Sequence, residues 1–282
     1  MALKPVALEK RQELRGLFPD YPWNYLPQAI LEGSHGEALA DDPENPRVAF
    51  LVLPRLQLMI LGGDAEQPGM VRLLKELPHP IALMFAAPGW QELVEDTLEG
   101  RLIRITRHAF TSEKLSCPHL QRLRETLPQG FRLAQMDLAL AKQLKQEQSE
   151  FSEDHLVNFD SAEDFLRRGF GFCILQGEQI VCAATTFAVC SKGIEIQINT
   201  REQQRRKGLA SAAAAALILH SLERGLDPNW DAASPVSASL AEKLGYTPQG
   251  EYPVLLYTGS PATNALVQVG LRIKSLFARR KG

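Results

Sequence analysis

The hydrophobic and polar positions of the second half of the chain predict a strand meander followed by a helix. Three strand-like runs follow one another, at Gly171–Leu175, Gln179–Val189 and Gly193–Asn199. The third run alternates between two sets of side chains, the apolar Ile194, Ile196 and Ile198 and the polar Glu195, Gln197 and Asn199. This period of two predicts a strand with one buried face and one polar face. An alanine-rich run from Ser211 to about Arg224, ended by Gly225, predicts a long helix.

The first third of the chain predicts a mixed arrangement of strands and helices. The strand-like runs are Val48–Leu53, Leu56–Leu61, Ile81–Ala86 and Leu102–Phe110, and the helix-like runs are Gly69–Leu77 and Trp90–Leu98. The chain turns at Pro128-Gln129-Gly130 and restarts with a short strand, Phe131–Gln135. Asp137 and Ser161 are expected to cap the two helices that follow. We therefore predict an α/β (α+β) protein with an N-terminal domain at 1–128, a second domain at 129–258 and a C-terminal helix within 259–282.

Composition and charge exclude several classes of function. The 282 residues contain 45% hydrophobic and 23% charged side chains, which is typical of a globular protein. Lys and Arg total 31 against 33 Asp and Glu, so a broad nucleic-acid-binding surface is not expected. No apolar run approaches the roughly 20 residues that span a bilayer, and charges occupy the N-terminus where a signal peptide needs an apolar core. We expect a cytoplasmic protein.

The cysteines and histidines do not form a recognisable site. The four cysteines include no C-x-x-C pair, which predicts reduced thiols, and Cys182 and Cys190 are expected to fill the core. Cys117 and His119 are sequence neighbours, whereas catalytic partners normally come from distant segments. The six histidines lack metal-ligand spacing, so no metal is predicted.

The loop between the third strand and the long helix has the features of an anion site. Thr200 to Ala210 contains Arg205, Arg206 and Lys207, followed by Gly208 at the start of the helix. Unpaired N–H groups of a first helical turn, together with the helix dipole, favour a phosphate there. A glycine lets the backbone approach an oxygen that a Cβ would block. A solvated basic face is the alternative interpretation of these charges.

The same segment resembles a known family. Arg205-x-x-Gly208-x-Ala210 resembles the Q/R-x-x-G-x-G/A loop of the GNAT acyltransferases. Downstream, Ser239-Leu240-Ala241-Glu242-Lys243-Leu244-Gly245-Tyr246 is similar to the L-Y-x-K-x-G-F helix end of that family. With the strand-like Pro228–Ala232 between them, these segments resemble in particular the zwittermicin A resistance type. The resemblance covers roughly Phe131 to Tyr257 and implies a C-terminal GNAT fold, with a mixed, mostly antiparallel sheet flanked by helices.

The resemblance implies a donor and a chemistry. It implies an N-acetyltransferase that moves an acetyl group from acetyl-CoA to the amine of a small molecule, with Glu195 as the base. The residues implied in holding acetyl-CoA are Ile198, Asn199 and Thr200 on the strand, Arg205, Arg206, Lys207, Gly208, Leu209 and Ala210 in the loop and first turn, and Ser234 and Ser237 beyond. The alternative to a catalytic role is that Glu195 is an ordinary solvent-facing residue on the polar face of the strand.

Two positions depart from the family pattern. Ala241 stands where many members have the tyrosine that protonates the departing thiolate, and Ser234 stands where members often have an asparagine. Tyr246 or Tyr257 then supplies the proton, or coenzyme A leaves as the thiolate with help from solvent. A non-catalytic acyl-CoA-binding or regulatory module is the rival function.

The two ends of the chain leave alternatives open. The N-terminal domain is either a degenerate copy of the GNAT half-fold or a lid over the acceptor pocket. At the other end, Leu266, Val269, Ile273 and Phe277 follow one helical face within Ala265–Ala278, with basic residues around it. Packing on the body or on a second subunit, giving a homodimer, is preferred to a membrane-surface helix, and a membrane partner is not expected.

Overall fold

The computed structural model describes residues 2–19, 24–147, 149, 151–152 and 155–267. The described residues form two compact units. The first unit lies within Met1–Asp20, Glu37–Thr106 and Pro253–Gly282, and the second lies within Tyr21–Gly36 and Arg107–Tyr252. The predicted C-terminal helix falls mostly outside the described residues, of which 261–267 are helical.

The strands of the described residues are, in chain order, β1 (Lys4–Pro5), β2 (Glu37–Ala40), β3 (Val48–Leu53), β4 (Leu58–Gly63), β5 (Ile81–Phe85), β6 (Leu102–Thr111), β7 (Arg132–Gln135), β8 (Gly171–Gln176), β9 (Gln179–Val189), β10 (Gly193–Thr200), β11 (Asp227–Ala232) and β12 (Thr247–Tyr257). The helices are α1 (Leu26–Leu31), α2 (Met70–Lys75), α3 (Trp90–Thr97), α4 (Cys117–Glu125), α5 (Leu138–Gln146), α6 (Ala162–Arg168), α7 (Leu209–Glu223) and α8 (Pro235–Leu244). Short 3₁₀ segments lie at Leu8–Leu17, Pro54–Leu56 and Glu202–Gln204.

The sheet of the first unit runs in the order β1-β2-β3-β4-β5-β12. Its first three pairings are antiparallel, β4 and β5 are parallel, and β12 returns antiparallel to β5 with Leu255 opposite Leu83. The predicted hairpin of β3 and β4 is confirmed, with Leu53 opposite Leu58 across the turn. Helices α2 and α3 cover this sheet, and Trp90 is fully buried in their shared core.

The sheet of the second unit runs in the order β7-β8-β9-β10-β11-β6. Its first three pairings are antiparallel, β10 and β11 are parallel, and β6 is antiparallel to β11 with Phe110 opposite Trp230. The predicted meander of three strands is confirmed, as are the caps of α5 and α6, where Asp137 accepts from the Leu140 amide and Ser161 from the Asp164 amide. The expected mixed, mostly antiparallel sheet flanked by helices is therefore present.

The long alanine-rich helix is buried along most of its length. One set of its residues, including Ala214 and Ile218, packs with Trp230, and another, including Ala213 and Leu217, packs with Ile194 and its neighbours. Small side chains let the helix lie close to the sheet, and this close packing fixes where the N-terminus of α7 emerges.

The two units share one sequence of strand pairings. In each, three antiparallel pairs are followed by one parallel pair and a final antiparallel strand. In each, the two parallel strands are joined through a helix whose N-cap is a glycine with positive φ, Gly69 at 95° before α2 and Gly208 at 80° before α7. The last strand of each sheet comes from the other half of the sequence, since β12 completes the first unit and β6 the second.

The units differ from the predicted domains in their boundaries. Residues 107–128 lie in the second unit rather than in a domain ending at 128, and 253–258 lie in the first. Residues 24–36, which include α1, also belong to the second unit. None of the helices in the described part of the chain combines the length and apolar character needed to cross a membrane.

Candidate active site

Strands β10 and β11 of the second unit separate part-way along their length. β10 pairs with β9 as far as Thr200 opposite Cys182, but its parallel pairing with β11 ends at Glu195 opposite Asn229. Within the described residues, Ile196 to Thr200 have no ladder partner on the β11 side. A β-bulge falls between Glu195 and Ile196. The separation, which we call the fork, leaves a row of backbone N–H and C=O groups available to an extended ligand.

Glu195 lies at the closed end of the fork and is only 6% exposed. Its Oε1 accepts hydrogen bonds from the Tyr25 amide at 2.5 Å and from Asn229 Nδ2 at 3.0 Å, and its Oε2 accepts from Asn229 Nδ2 at 3.1 Å. The alternative of a solvent-facing Glu195 is therefore wrong. The alternation along β10 holds, since Ile194, Ile196 and Ile198 share one core cluster. Glu195 is buried because the segment that carries Tyr25 lies against the opposite face of the strand.

Burial dominates the acidity of the Glu195 carboxyl. Removal from water is the main cause that raises its pKa to about 8, and the charge of Asp231 acts in the same direction, whereas the two hydrogen-bond donors and Arg107 act in the opposite direction. A carboxyl with this pKa is mostly protonated at neutral pH, but a usable fraction is ionised. Glu195 can therefore accept a proton in the physiological range.

The segment before α1 completes the surroundings of Glu195. The Tyr25 amide binds Glu195, and the Tyr25 hydroxyl donates to Asp227 Oδ2 at 2.8 Å. The Tyr25 ring lies against Gly193, where a Cβ would collide with it and with the Asp227 carbonyl oxygen. The sequence patterns did not identify this contact, because Tyr25 and Glu195 are far apart in the chain.

A second polar network lies on β11 beside Glu195. Arg107 donates two hydrogen bonds to the Asp231 carboxylate, from Nε to Oδ1 at 3.0 Å and from Nη2 to Oδ2 at 2.9 Å. The Tyr252 hydroxyl donates to Asp231 Oδ2 at 2.7 Å, and Asn24 Nδ2 donates to that hydroxyl at 3.2 Å. None of these residues was predicted from the sequence patterns. Alternation of Asn229 and Asp231 with Trp230 and Ala232 along β11 was the available signal.

The predicted anion loop follows directly from the open end of the fork. After Thr200 the 3₁₀ turn leads to Arg206 and Gly208, whose φ angles of 66° and 80° turn successive amides. The first bond of α7 runs from the Ala212 amide to the Gly208 carbonyl, and no acceptor is described for the amides of residues 206–211. A Cβ at Gly208 would have no atom within 4 Å, so the surface above it is open. This geometry suits an anion.

Three exposed cations surround these amides. Arg205 Nε donates to the Thr200 carbonyl at 3.2 Å, and Lys207 Nζ donates to Gln204 Oε1 at 2.6 Å and lies over the Phe131 ring. Arg206 is exposed. Arg201, by contrast, binds the Ile180 carbonyl and Glu147, so it supports the loop from below. The loop thus places unpaired backbone amides and three exposed cationic side chains at the same helix N-terminus.

The other predicted cofactor contacts lie at the start of α8. Ser234 is the N-cap, and its Oγ accepts from the Ser237 amide at 3.2 Å. Ser237 Oγ accepts from Trp230 Nε1 at 3.2 Å. Both hydroxyls act as acceptors in these bonds, so each can still donate its own hydrogen.

The two tyrosines named as proton donors lie in different units, and Tyr246 shares the second unit with Glu195. Tyr246 is 4% exposed, and its hydroxyl donates to the Pro228 carbonyl at 2.6 Å. Burial raises the pKa of Tyr246 well above its usual value. Tyr257 lies in the first unit, and Ala241 is fully buried in the core beneath α8. The bond that Tyr246 already makes favours a structural role, and its part in proton transfer stays a prediction.

The cysteines and histidines contribute no obvious chemistry. Cys173, Cys182 and Cys190 are buried free thiols, and burial raises the pKa of Cys182 to about 12. His119 is bonded to the Lys243 carbonyl rather than to Cys117. Within the residues that the structure describes, no group of three or more His, Cys, Asp or Glu is arranged to hold a metal.

Comparisons with known proteins agree with this geometry. Residues 17–255 match the sequence model of the family described as GNAT acetyltransferase. The uncharacterized N-acetyltransferase YdfB of Bacillus subtilis (strain 168) is 25% identical over 271 residues, which cover 91% of this chain and 99% of YdfB.

Two solved structures have a similar fold. The GCN5-related N-acetyltransferase-like protein from Streptococcus suis 89/1591 is 33% identical, with a TM-score of 0.77 over 88% of this chain and 98% of that one. A tandem GNAT protein from the clavulanic acid biosynthesis pathway is 12% identical, with a TM-score of 0.61 over 92% and 99%, and shares the fold alone. The family match includes the fork, the anion loop and most of both units, so the chain belongs to the GNAT acetyltransferase family and is an acyltransferase.

Proposed function

We propose that the enzyme transfers an acetyl group from acetyl-CoA to the amine of a small molecule, with Glu195 as the general base. The observation that carries this proposal is the fork. It presents an open strand edge that begins at a buried carboxyl and runs into a helix N-terminus surrounded by cations. A long thioester with a diphosphate at one end fits that order of features.

The donor is held in two ways. The backbone of Ile198, Asn199 and Thr200 pairs with the amide groups of the pantetheine arm, as an additional strand would. The amides from Arg206 to Ala210, Leu209 included, hold the pyrophosphate, and the side chains of Arg205, Arg206 and Lys207 add charge. The hydroxyl groups of Ser234 and Ser237 donate hydrogen bonds to acetyl-CoA near the start of α8.

The chemistry begins with the loss of a proton. An alkylammonium with a pKa near 10 has no lone pair for attack at neutral pH. Glu195 takes that proton, directly or through one water, and the freed amine nitrogen attacks the thioester carbon. The thioester oxygen gains charge, which a strand N–H near Ile198 stabilises. The attack forms the C–N bond of a tetrahedral adduct. When this adduct collapses, the C–S bond breaks, coenzyme A leaves as the thiolate, and the nitrogen loses its second proton to solvent, which gives the neutral amide.

The donor site is tested by the stabilisation that acetyl-CoA gives. Acetyl-CoA at about 100 times its dissociation constant adds roughly 2.7 kcal/mol to the stability of a protein that binds it, which raises the melting temperature measurably. Gly208→Asp places bulk and negative charge against the pyrophosphate, so the rise should disappear. Gly225→Asp is the matched control, because Gly225 follows the other end of α7 with a φ of 71° and open space around it.

Two outcomes contradict the proposal. If acetyl-CoA does not raise the melting temperature of the wild-type protein, the protein does not bind it as proposed. If the rise disappears equally in both variants, acetyl-CoA binding does not depend specifically on the loop that contains Gly208. A second assay follows thiol release from acetyl-CoA with spermidine, glucosamine and lysine as amine probes. Binding without release of coenzyme A with any amine would favour the rival acyl-CoA-binding module.

We also propose that the first unit is a degenerate copy of the second rather than a lid. Its support is the shared sequence of strand pairings and the positive-φ glycine before each connecting helix. The loop before α2 carries Asp64 and Glu66 where the loop before α7 carries cations. β4 and β5 also pair over four positions, from Leu58 opposite Ala82 to Leu61 opposite Phe85. The copy therefore lacks the fork and the charge that an acetyl-CoA site needs.

Three finer predictions stand alongside this proposal. They are a cytoplasmic location, a homodimer, and membership of the zwittermicin A resistance type.

A further inference from the structure

Asn229 is the cross-strand neighbour of Glu195 at the last pair before β10 and β11 separate. It is 8% exposed, and its Nδ2 reaches both carboxyl oxygens, at 3.0 and 3.1 Å. We infer that Asn229 is a positioning residue that orients the Glu195 carboxyl and favours its proton-accepting form, an inference that rests on the proposed role of Glu195 as the base.

The two oxygens of Glu195 are not equivalent. Oε1 accepts from both the Tyr25 amide and Asn229, whereas the Asn229 amide is the only donor described for Oε2. A carboxylate oxygen has two lone pairs, so Oε2, with one described donor, keeps a lone pair that can accept a proton. The substrate proton therefore goes to Oε2, which Asn229 holds at the vertex of the fork.

The position of Asn229 follows from the strand register. Parallel strands place paired residues side by side, so a side chain at the final pair faces its partner while the backbones diverge beyond it. A shift of one residue would turn Asn229 to the opposite face of the sheet and bring Trp230 or Pro228 into its place. The register that opens the fork for the donor thus also sets the orientation of the base.

Asn229 opposes the effect of burial on the ionisation of Glu195. The low-dielectric surroundings of Glu195 disfavour its charged form, and a hydrogen bond to the charged form favours it by on the order of ten-fold. Without the Asn229 amide, only the Tyr25 amide and the charge of Arg107 would oppose burial. The ionisable groups that interact electrostatically with Glu195 are Tyr25 before α1, Arg107 on β6, Cys190 after β9, Asp231 on β11 and Tyr246 after α8.

The experiment compares Asn229→Leu with Asn158→Leu. Leucine has nearly the shape of asparagine but donates no hydrogen bond. Asn158 also lies in the second unit, is half-buried and donates from its side chain to the Phe187 carbonyl at 3.0 Å, so it controls for the loss of a side-chain amide bond. The carboxyl carbons of glutamate are labelled with ¹³C and titrated by NMR, and the Glu195 signal is assigned by its absence in Glu195→Gln. No substrate is needed for this measurement.

The expected result is an upward movement of the Glu195 pKa by about one pH unit in Asn229→Leu and no movement in Asn158→Leu. With an amine probe that supports turnover, the pH midpoint of kcat should move upward by the same amount. If Asn229→Leu does not fold, Asn229→Ala, which adds no bulk, is titrated instead and should move the pKa in the same direction.

The two proposals fail in different ways. An unchanged Glu195 pKa in a folded Asn229 variant would overturn the role of Asn229 and leave the base in place. A Glu195→Gln enzyme with the wild-type rate of acetyl transfer would overturn the base itself, whatever the titration shows.

Discussion

Replacing Glu195 by glutamine should make the protein more stable at high pH, although it removes the proposed base. Burial raises the pKa of Glu195 from its usual 4.5 to about 8. The folded protein therefore keeps a proton on this carboxyl over a pH interval in which the unfolded chain has lost it. The stability from that proton is fully present below pH 4.5 and is lost as the pH rises toward 8.

The loss can be calculated from the two pKa values. Each pH unit between them lowers the free energy of unfolding by about 1.4 kcal/mol, so the change from pH 5 to pH 9 is on the order of 4 kcal/mol. Glutamine has nearly the same shape and does not titrate. Its amide will meet the Asn229 amide as donor against donor, which costs about 1 kcal/mol at every pH. The pH dependence of the difference between the two proteins is therefore the quantity to measure.

Urea unfolding followed by circular dichroism at pH 5, 6, 7, 8 and 9 gives that quantity. The stability of Glu195→Gln relative to wild type should rise by on the order of 4 kcal/mol across this range and level off above pH 8. Glu178→Gln is the control, because Glu178 is exposed and hydrated in the folded protein as in the unfolded chain. A difference between Glu195→Gln and wild type that stays constant with pH would refute the protonated, buried Glu195.

Two further predictions follow from the geometry. Isothermal titration should give one acetyl-CoA per chain, because the loop before α2 carries Asp64 and Glu66 at the position of the cations before α7, and a stoichiometry of two would contradict the loss of the site in the first unit. Gly193→Ala should cost about 2 kcal/mol in urea unfolding and displace the Tyr25 amide from Glu195, because the new Cβ collides with the Tyr25 ring, whereas Gly16→Ala, with no atom within 4 Å, should change little. An unaffected Gly193→Ala would show that the Tyr25 ring and the Asp227 backbone can both move away at little cost.

The strand–loop–helix geometry before α7 was predictable because its signals are local. A strand, three cations, a glycine and an alanine-rich run lie within about 25 consecutive residues, and the physics of a helix N-terminus depends on little else. The same holds for β8, β9 and β10, whose alternation and tight turns determine the meander. The alternation predicted the face of β10 that carries Glu195, but it did not predict the burial of that face, because the covering residue Tyr25 is remote in the chain.

The surroundings of Glu195 were not predictable from local patterns. Tyr25, Arg107 and Tyr252 reach the second unit from remote parts of the sequence, and each is held by tertiary contacts rather than by a motif. Asn229 and Asp231 lie on a short strand whose polar residues looked like ordinary surface positions. The helix α1 also went unpredicted, because six residues containing a proline give no clear period.

The exchange of β6 and β12 has a consequence for how the chain folds during synthesis. Leu83 on β5 can pair early with Met59 on β4, but its other partner, Leu255, is made much later. The sheet of the first unit therefore stays incomplete until β12 has left the ribosome. The second unit, by contrast, finds its last strand, β6, already synthesised when β11 emerges. The second unit should therefore be the first to complete its sheet. A fragment that begins at residue 129 would lack β6, Arg107 and Tyr25, and with them part of the Glu195 environment.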